Sequence, residues 1–181
     1  RRRGDLKEWD DFSIATWMAI NLSVGSREGE STRLVGDVDE NDWFTRASVS
    51  YRIGGVATTD PPPTMLKQMK EGDIARLHPK GAKCDQWGTC YGTEPIILPF
   101  HDSDLNAAKW LRDLELRRPC HGEERGTVAL FARPDGSPYR DGRFRKMIRA
   151  ALRQGVGADR ARYLTPHSWR VWLATSLKAQ R

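Results

Sequence analysis

The sequence predicts an α+β fold, mainly helical, with a small antiparallel sheet between its helices. Two observations carry this expectation. Apolar residues recur at helical spacing near both ends of the chain and over 103–117, whereas three short runs between them, 46–53, 74–78 and 95–99, have the length and flanking Gly or Pro of strands. The order is helix, strands, helices, without internal repeats, which favours a segregated α+β arrangement over alternating βαβ units. A chain of 181 residues suits one domain of ordinary size, taken here as 1–181.

Residues 6–23 read as the first helix, with Leu6, Trp9, Trp17 and Leu22 near helical spacing and Gly25 as the stop. Residues 46–53 alternate as a half-buried strand that Gly54-Gly55 ends. A rigid loop through Pro61-Pro62-Pro63 follows. The runs 74–78 and 95–99 are expected to be strands joined in hairpin fashion. A helix over 103–117 is capped by Asp102 or Ser103 and places Leu105, Ala108, Leu111 and Leu114 on one face. After a short apolar run at 127–131, Pro134-Asp135-Gly136 forms a turn. The next helix is the clearest: Phe144, Met147, Ile148, Ala151 and Leu152 form its apolar stripe, with basic residues mainly elsewhere around it. Thr165-Pro166 opens the last helix, a capping residue followed by proline at the first helical position.

Hydrophobic residues make up 38% of the chain and charged residues 30%, and no apolar run is long enough to span a bilayer. Three cysteines, Cys84, Cys90 and Cys120, argue against a secreted disulfide framework and for a reducing, intracellular compartment. The net charge of +6 makes a polyanionic partner plausible. The charge is concentrated: 140–162 holds Arg140, Arg143, Arg145, Lys146, Arg149, Arg153, Arg160 and Arg162 against Asp141 and Asp159. The absence of an initiating methionine reads as the mark of a piece of a longer protein.

The segment Thr165-Pro166-His167-Ser168-Trp169-Arg170 puts an imidazole and a guanidinium on one face of a helix, because residues three apart are neighbours there. A polar helix face explains this stretch equally well when it is read alone. Two earlier segments change the weighing. Arg27 and Glu30 stand just after the first helix and before Leu34-Val35-Gly36-Asp37, and Lys83-Cys84-Asp85-Gln86-Trp87-Gly88 lies between two expected strands, with Lys80 as the alternative lysine. In this order, over roughly residues 10–181, the chain resembles the catalytic domain of the tyrosine recombinases, or phage integrases.

The resemblance implies a DNA breaking-and-rejoining fold and strand exchange by phosphodiester transesterification. Arg27 and Arg170 would grip the non-bridging oxygens of the scissile phosphate, a task suited to a permanently charged bidentate donor. Lys83 would protonate the leaving 5′-oxygen, and His167 would hydrogen-bond the phosphate or manage the nucleophile's proton. Arg143, Lys146, Arg149 and Arg153 are the expected contacts to double-stranded DNA. No metal or other cofactor is implied, since the protein supplies the cations. In the family a tyrosine on a later helix attacks the phosphate. No tyrosine follows Arg170 here, and Tyr163, which precedes the box, is expected to be a packing residue. The chain is therefore expected to be an incomplete catalytic domain, DNA-associated in nucleus or nucleoid. The longer form would act as a tetramer on DNA, and the chain itself would be monomeric. The rival readings are a non-catalytic DNA-binding remnant, a zinc module built from Cys84, Cys90, His101, Cys120 and His121, and a metal-dependent nuclease, for which no tight carboxylate cluster stands in the sequence.

Overall fold

The computed structural model describes residues 3–24 (side chains from Glu8 onward), 43–78, 94–165 and 168. Its order is α1 (Arg3–Val24), a 3-10 turn (Arg46–Ser48), β1 (Val49–Ile53), β2 (Val56–Thr58), α2 (Pro63–Leu66), β3 (Ile74–Leu77), β4 (Ile96–Pro99), α3 (Ala107–Arg117), α4 (Glu124–Thr127), α5 (Asp141–Val156) and α6 (Ala158–Ala161). The described residues form an α+β arrangement with a four-stranded antiparallel sheet, in the order β2-β1-β3-β4. The chain divides into two compact units, Phe44–Leu130 on one hand and Arg1–Trp43 with Phe131–Arg181 on the other.

The unit 44–130 is built on the sheet. Alternation along β1 buries Val49, Tyr51 and Ile53 and turns Ser50 and Arg52 outward. Gly54 and Gly55 have φ of +57° and +84°, which residues with a Cβ rarely adopt, so they form a two-residue turn closed by the Ile53–Val56 pair. The strand expected over 46–53 therefore begins at Val49, after a 3-10 turn, and the glycines lead into β2 where a loop was expected. Pro63 occupies the first turn of α2, a position where its missing N–H costs nothing, so the triple proline ends in a helical turn.

The N-cap of α3 is Asn106, in place of Asp102 or Ser103. Its Oδ1 accepts from the Lys109 amide at 2.8 Å while its Nδ2 donates to the Pro99 carbonyl at 2.8 Å. One side chain thus starts the helix and ties it to the end of β4, which the two earlier candidates do not do. Ala108, Leu111 and Leu114 are buried as the spacing requires, whereas Leu105 precedes the helix and is exposed.

In the other unit, α1 is buried around much of its middle by Phe12, Ile14, Trp17, Ala19 and Ile20. Trp9 and Leu22, expected on the core stripe, are only partly buried; the Trp9 indole donates to the Ala132 carbonyl at 2.8 Å. Polar residues inside the helix are satisfied by the preceding turn: Thr16 donates to Phe12 O at 2.8 Å and Asn21 to Trp17 O at 3.1 Å. Trp17 meets Phe144 of α5 edge-on, with ring centroids 5.3 Å apart, and Tyr139 packs on Phe144 at 5.7 Å. The turn at 133–136 forms as expected, with the Gly136 amide bonded to the Arg133 carbonyl at 2.9 Å. Gly157, at φ +83°, ends α5 and leads directly into α6, a helical turn that the apolar pattern did not announce.

Candidate nucleic-acid interface

Helix α5 is amphipathic in a way that separates burial from charge. Phe144, Ile148 and Leu152, spaced by four, are its buried residues. At 100° per residue, Lys146, Arg149 and Arg153 fall within roughly 60° of arc on the opposite side and extend over about 10 Å of helix. All three are exposed, and none has an ion-pair partner among the described residues. They form a continuous cationic stripe on a rigid element, the geometry needed to follow a line of phosphates.

The fourth expected DNA contact, Arg143, is engaged differently. Its Nη2 lies 2.8 Å from Oδ2 of Asp10 on α1, and the other oxygen of that carboxylate accepts from Tyr139 Oη at 2.5 Å. Burial pushes the Tyr139 hydroxyl far above its ordinary range, and the hydrogen bond to Asp10 pushes it further. Tyr139 is thus a neutral donor that fixes Asp10, and Asp10 in turn fixes Arg143. Sequence periodicity missed this cluster because it joins residues more than a hundred positions apart. Arg145, flanking the stripe, holds Asp141 one turn earlier at 2.9 Å.

The four residues expected around a scissile phosphate, Arg27, Lys83, His167 and Arg170, lie outside the described residues. What is described is their setting. Helix α1 ends at Val24, three residues before Arg27 in the chain. Strands β3 and β4 pair antiparallel, and the connection between them contains Lys83 in sequence. In the segment that opens at Thr165, the Thr165 amide donates to Ser168 Oγ at 3.0 Å and the Ser168 amide to Thr165 O at 2.9 Å, half of a capping box at the expected helix start.

Tyr163 corrects an expectation. It is 72% exposed, with the Arg162 guanidinium 4.7 Å from its ring centroid, so it packs on an arginine at the surface and not in a core. It follows α6, whose one buried residue is Ala161, and that short turn offers no apolar face wide enough to take an aromatic ring.

The sheet unit contains an ionic cluster that composition could not disclose. Arg125 grips Glu115 with both terminal nitrogens, at 2.9 and 3.2 Å, and donates to the carbonyls of Cys120 and Arg46. Arg46, fully buried, stands 3.2 Å from the same carboxylate. Burial lowers the pKa of Arg46 against the opposing pull of Glu115. Burial acts on Arg125 in the same sense, but its paired hydrogen bonds and charge contact with Glu115 more than offset it. The Cys120 thiol is pushed up by burial, which makes it a poor nucleophile.

The histidines proposed for a zinc module are engaged separately: His101 with Asn106 at 2.8 Å and His121 with Asp60 at 2.6 Å. Among the described residues no group of His, Cys, Asp or Glu is arranged to hold a metal ion, while Cys84 and Cys90 lie outside them. No described helix is long and apolar enough to cross a membrane. No family model, curated protein or solved structure matches the chain.

Proposed function

We propose that this chain is part of the catalytic domain of a DNA strand-exchange enzyme of the tyrosine recombinase type. The observation that carries the reading is the order of three motifs against their elements. Arg27 and Glu30 follow a long helix, Lys83 falls between two paired antiparallel strands, and His167 and Arg170 follow a basic amphipathic helix. The exposed stripe of Lys146, Arg149 and Arg153 adds a surface suited to duplex phosphates. In this reading Arg27 and Arg170 neutralise charge developing on the phosphorus oxygens, Lys83 supplies the proton to the leaving oxygen, and His167 orients the phosphate. The reading also requires an attacking tyrosine, and none occurs after Arg170 in this sequence.

The second reading, a DNA-binding remnant without the reaction, is favoured by the same stripe taken alone, since phosphate contacts need none of the four catalytic positions. The longest product of the reading frame containing this chain distinguishes the two. Incubated with a nicked DNA substrate in which the short fragment bearing the leaving 5′-hydroxyl can dissociate, it is expected to become covalently joined to DNA. Arg170→Ala should abolish the adduct while leaving DNA binding in place. Binding without any adduct would leave the remnant reading, and an adduct undiminished by Arg170→Ala would refute the assignment.

A further inference from the structure

The face of the sheet opposite its buried side carries a second concentration of cations. Along β1 the residues on this face are Ser50 and Arg52, along β3 Ile74, which is buried, and Arg76, and along β4 Ile97 and Pro99. Register places Ser50, Arg76 and Ile97 in one cross-strand row and Arg52, Ile74 and Pro99 in the next. Arg52 and Arg76 are therefore diagonal neighbours on adjacent strands, about 7–8 Å apart and somewhat closer at their β-carbons. His78 continues the outward series, and its Nε2 is 2.8 Å from Ser50 Oγ. Arg52, His78, Ile97 and Pro99 are exposed, and Arg76 is half-buried. No outward position of these three strands holds a carboxylate, and neither arginine has an ion-pair partner among the described residues.

Like charges placed this close on one sheet face oppose each other, and a polyanion laid across their exposed ends would turn that repulsion into attraction. We propose that this face of the sheet, at Arg52 and Arg76, is a second phosphate-binding surface for duplex DNA. Arg52 and Arg76 each take phosphate oxygens through their planar guanidinium groups, and Ser50 adds a hydroxyl donor. Strands hold these side chains at fixed spacing, so the two contacts would form together. The inference rests on the DNA reading above and extends it to a surface outside the three motifs.

The test is the salt dependence of binding to a short fluorescent DNA duplex of mixed sequence, using the chain as it is. Each phosphate contact contributes about 0.9 to the slope of log affinity against log salt. R52Q/R76Q is expected to lower the slope by about two and to weaken binding roughly ten- to a hundred-fold at about 0.1 M salt. R52K/R76K should keep most of the slope. Lys67→Gln, the loss of one charge at an exposed position just after α2 and so a match for Arg52→Gln alone, should leave it unchanged. Because Arg76 is half-buried, Arg52→Gln alone provides a variant safe for folding, with an expected slope change of about one. If the sheet variants bind like Lys67→Gln while K146Q/R149Q/R153Q loses slope, the sheet inference falls and the DNA reading stands. If the unmodified chain shows no salt-dependent binding to the duplex, both fall.

Discussion

At the scale of single residues, two carboxylates do work out of proportion to their number. Glu115 is 3% exposed and faces two buried guanidinium groups, so its single negative charge compensates two positive ones. Removing one partner of a buried ion pair leaves an uncompensated charge and typically costs about 3–5 kcal/mol. Glu115→Gln is expected to fall in that range, read as a lowered urea midpoint. A midpoint shift corresponding to less than about 1 kcal/mol would mean that water reaches the cluster. Asp60 joins distant parts of the sheet unit: it accepts from the Gly122 amide at 2.9 Å and from His121 at 2.6 Å. The Gly122 amide first, and then His121, hold its carboxyl below the usual carboxylate range. A lowered folded pKa means that the stabilisation is complete above the unfolded value near 3.9 and is lost as pH falls through the folded one. The stability gap between the native chain and Asp60→Asn should therefore be constant at neutral pH and close in acid, as measured by melting temperature against pH. A gap independent of pH would show that the hydrogen-bond geometry matters and the charge does not.

At the scale of elements, α5 shows how one helix serves a core and a surface without conflict. Its buried residues Phe144, Ile148 and Leu152 recur every fourth position, leaving the opposite arc to Lys146, Arg149 and Arg153. Substitutions on the two faces should accordingly have separable effects. Phe144→Ala opens a cavity beside Trp17 and Tyr139 and should cost about 3–5 kcal/mol of stability. K146Q/R149Q/R153Q should change stability little and lower the salt slope of duplex binding by about three. Stability measured by denaturant and affinity measured by fluorescence anisotropy check both halves. A slope unchanged in the triple variant would remove α5 from the interface. The sheet is a further case of one element with two faces, since alternation sends Tyr51 into the core and Arg52 outward.

At the scale of the whole molecule, covalent capture of DNA by the longest product of the reading frame, lost in Arg170→Ala, is the measurement that separates enzyme from remnant. The α+β class, the helices α1, α3 and α5, and the antiparallel neighbours β3 and β4 were legible in the sequence, because periodic burial writes itself into the order of residues. So was the basic arc of α5, where the signal is local. Tertiary structure decided what local signals cannot encode. It moved the cap of α3 to Asn106, because only that side chain also reaches the Pro99 carbonyl. It engaged Arg143 with Asp10 and set Tyr163 at the surface. It also brought Arg46, Glu115 and Arg125 into one buried cluster and Arg52 and Arg76 onto one face of the sheet. These pairings depend on strand register and long-range packing. Periodicity shows that a side chain will be buried or exposed, whereas its partner is set only when distant segments meet.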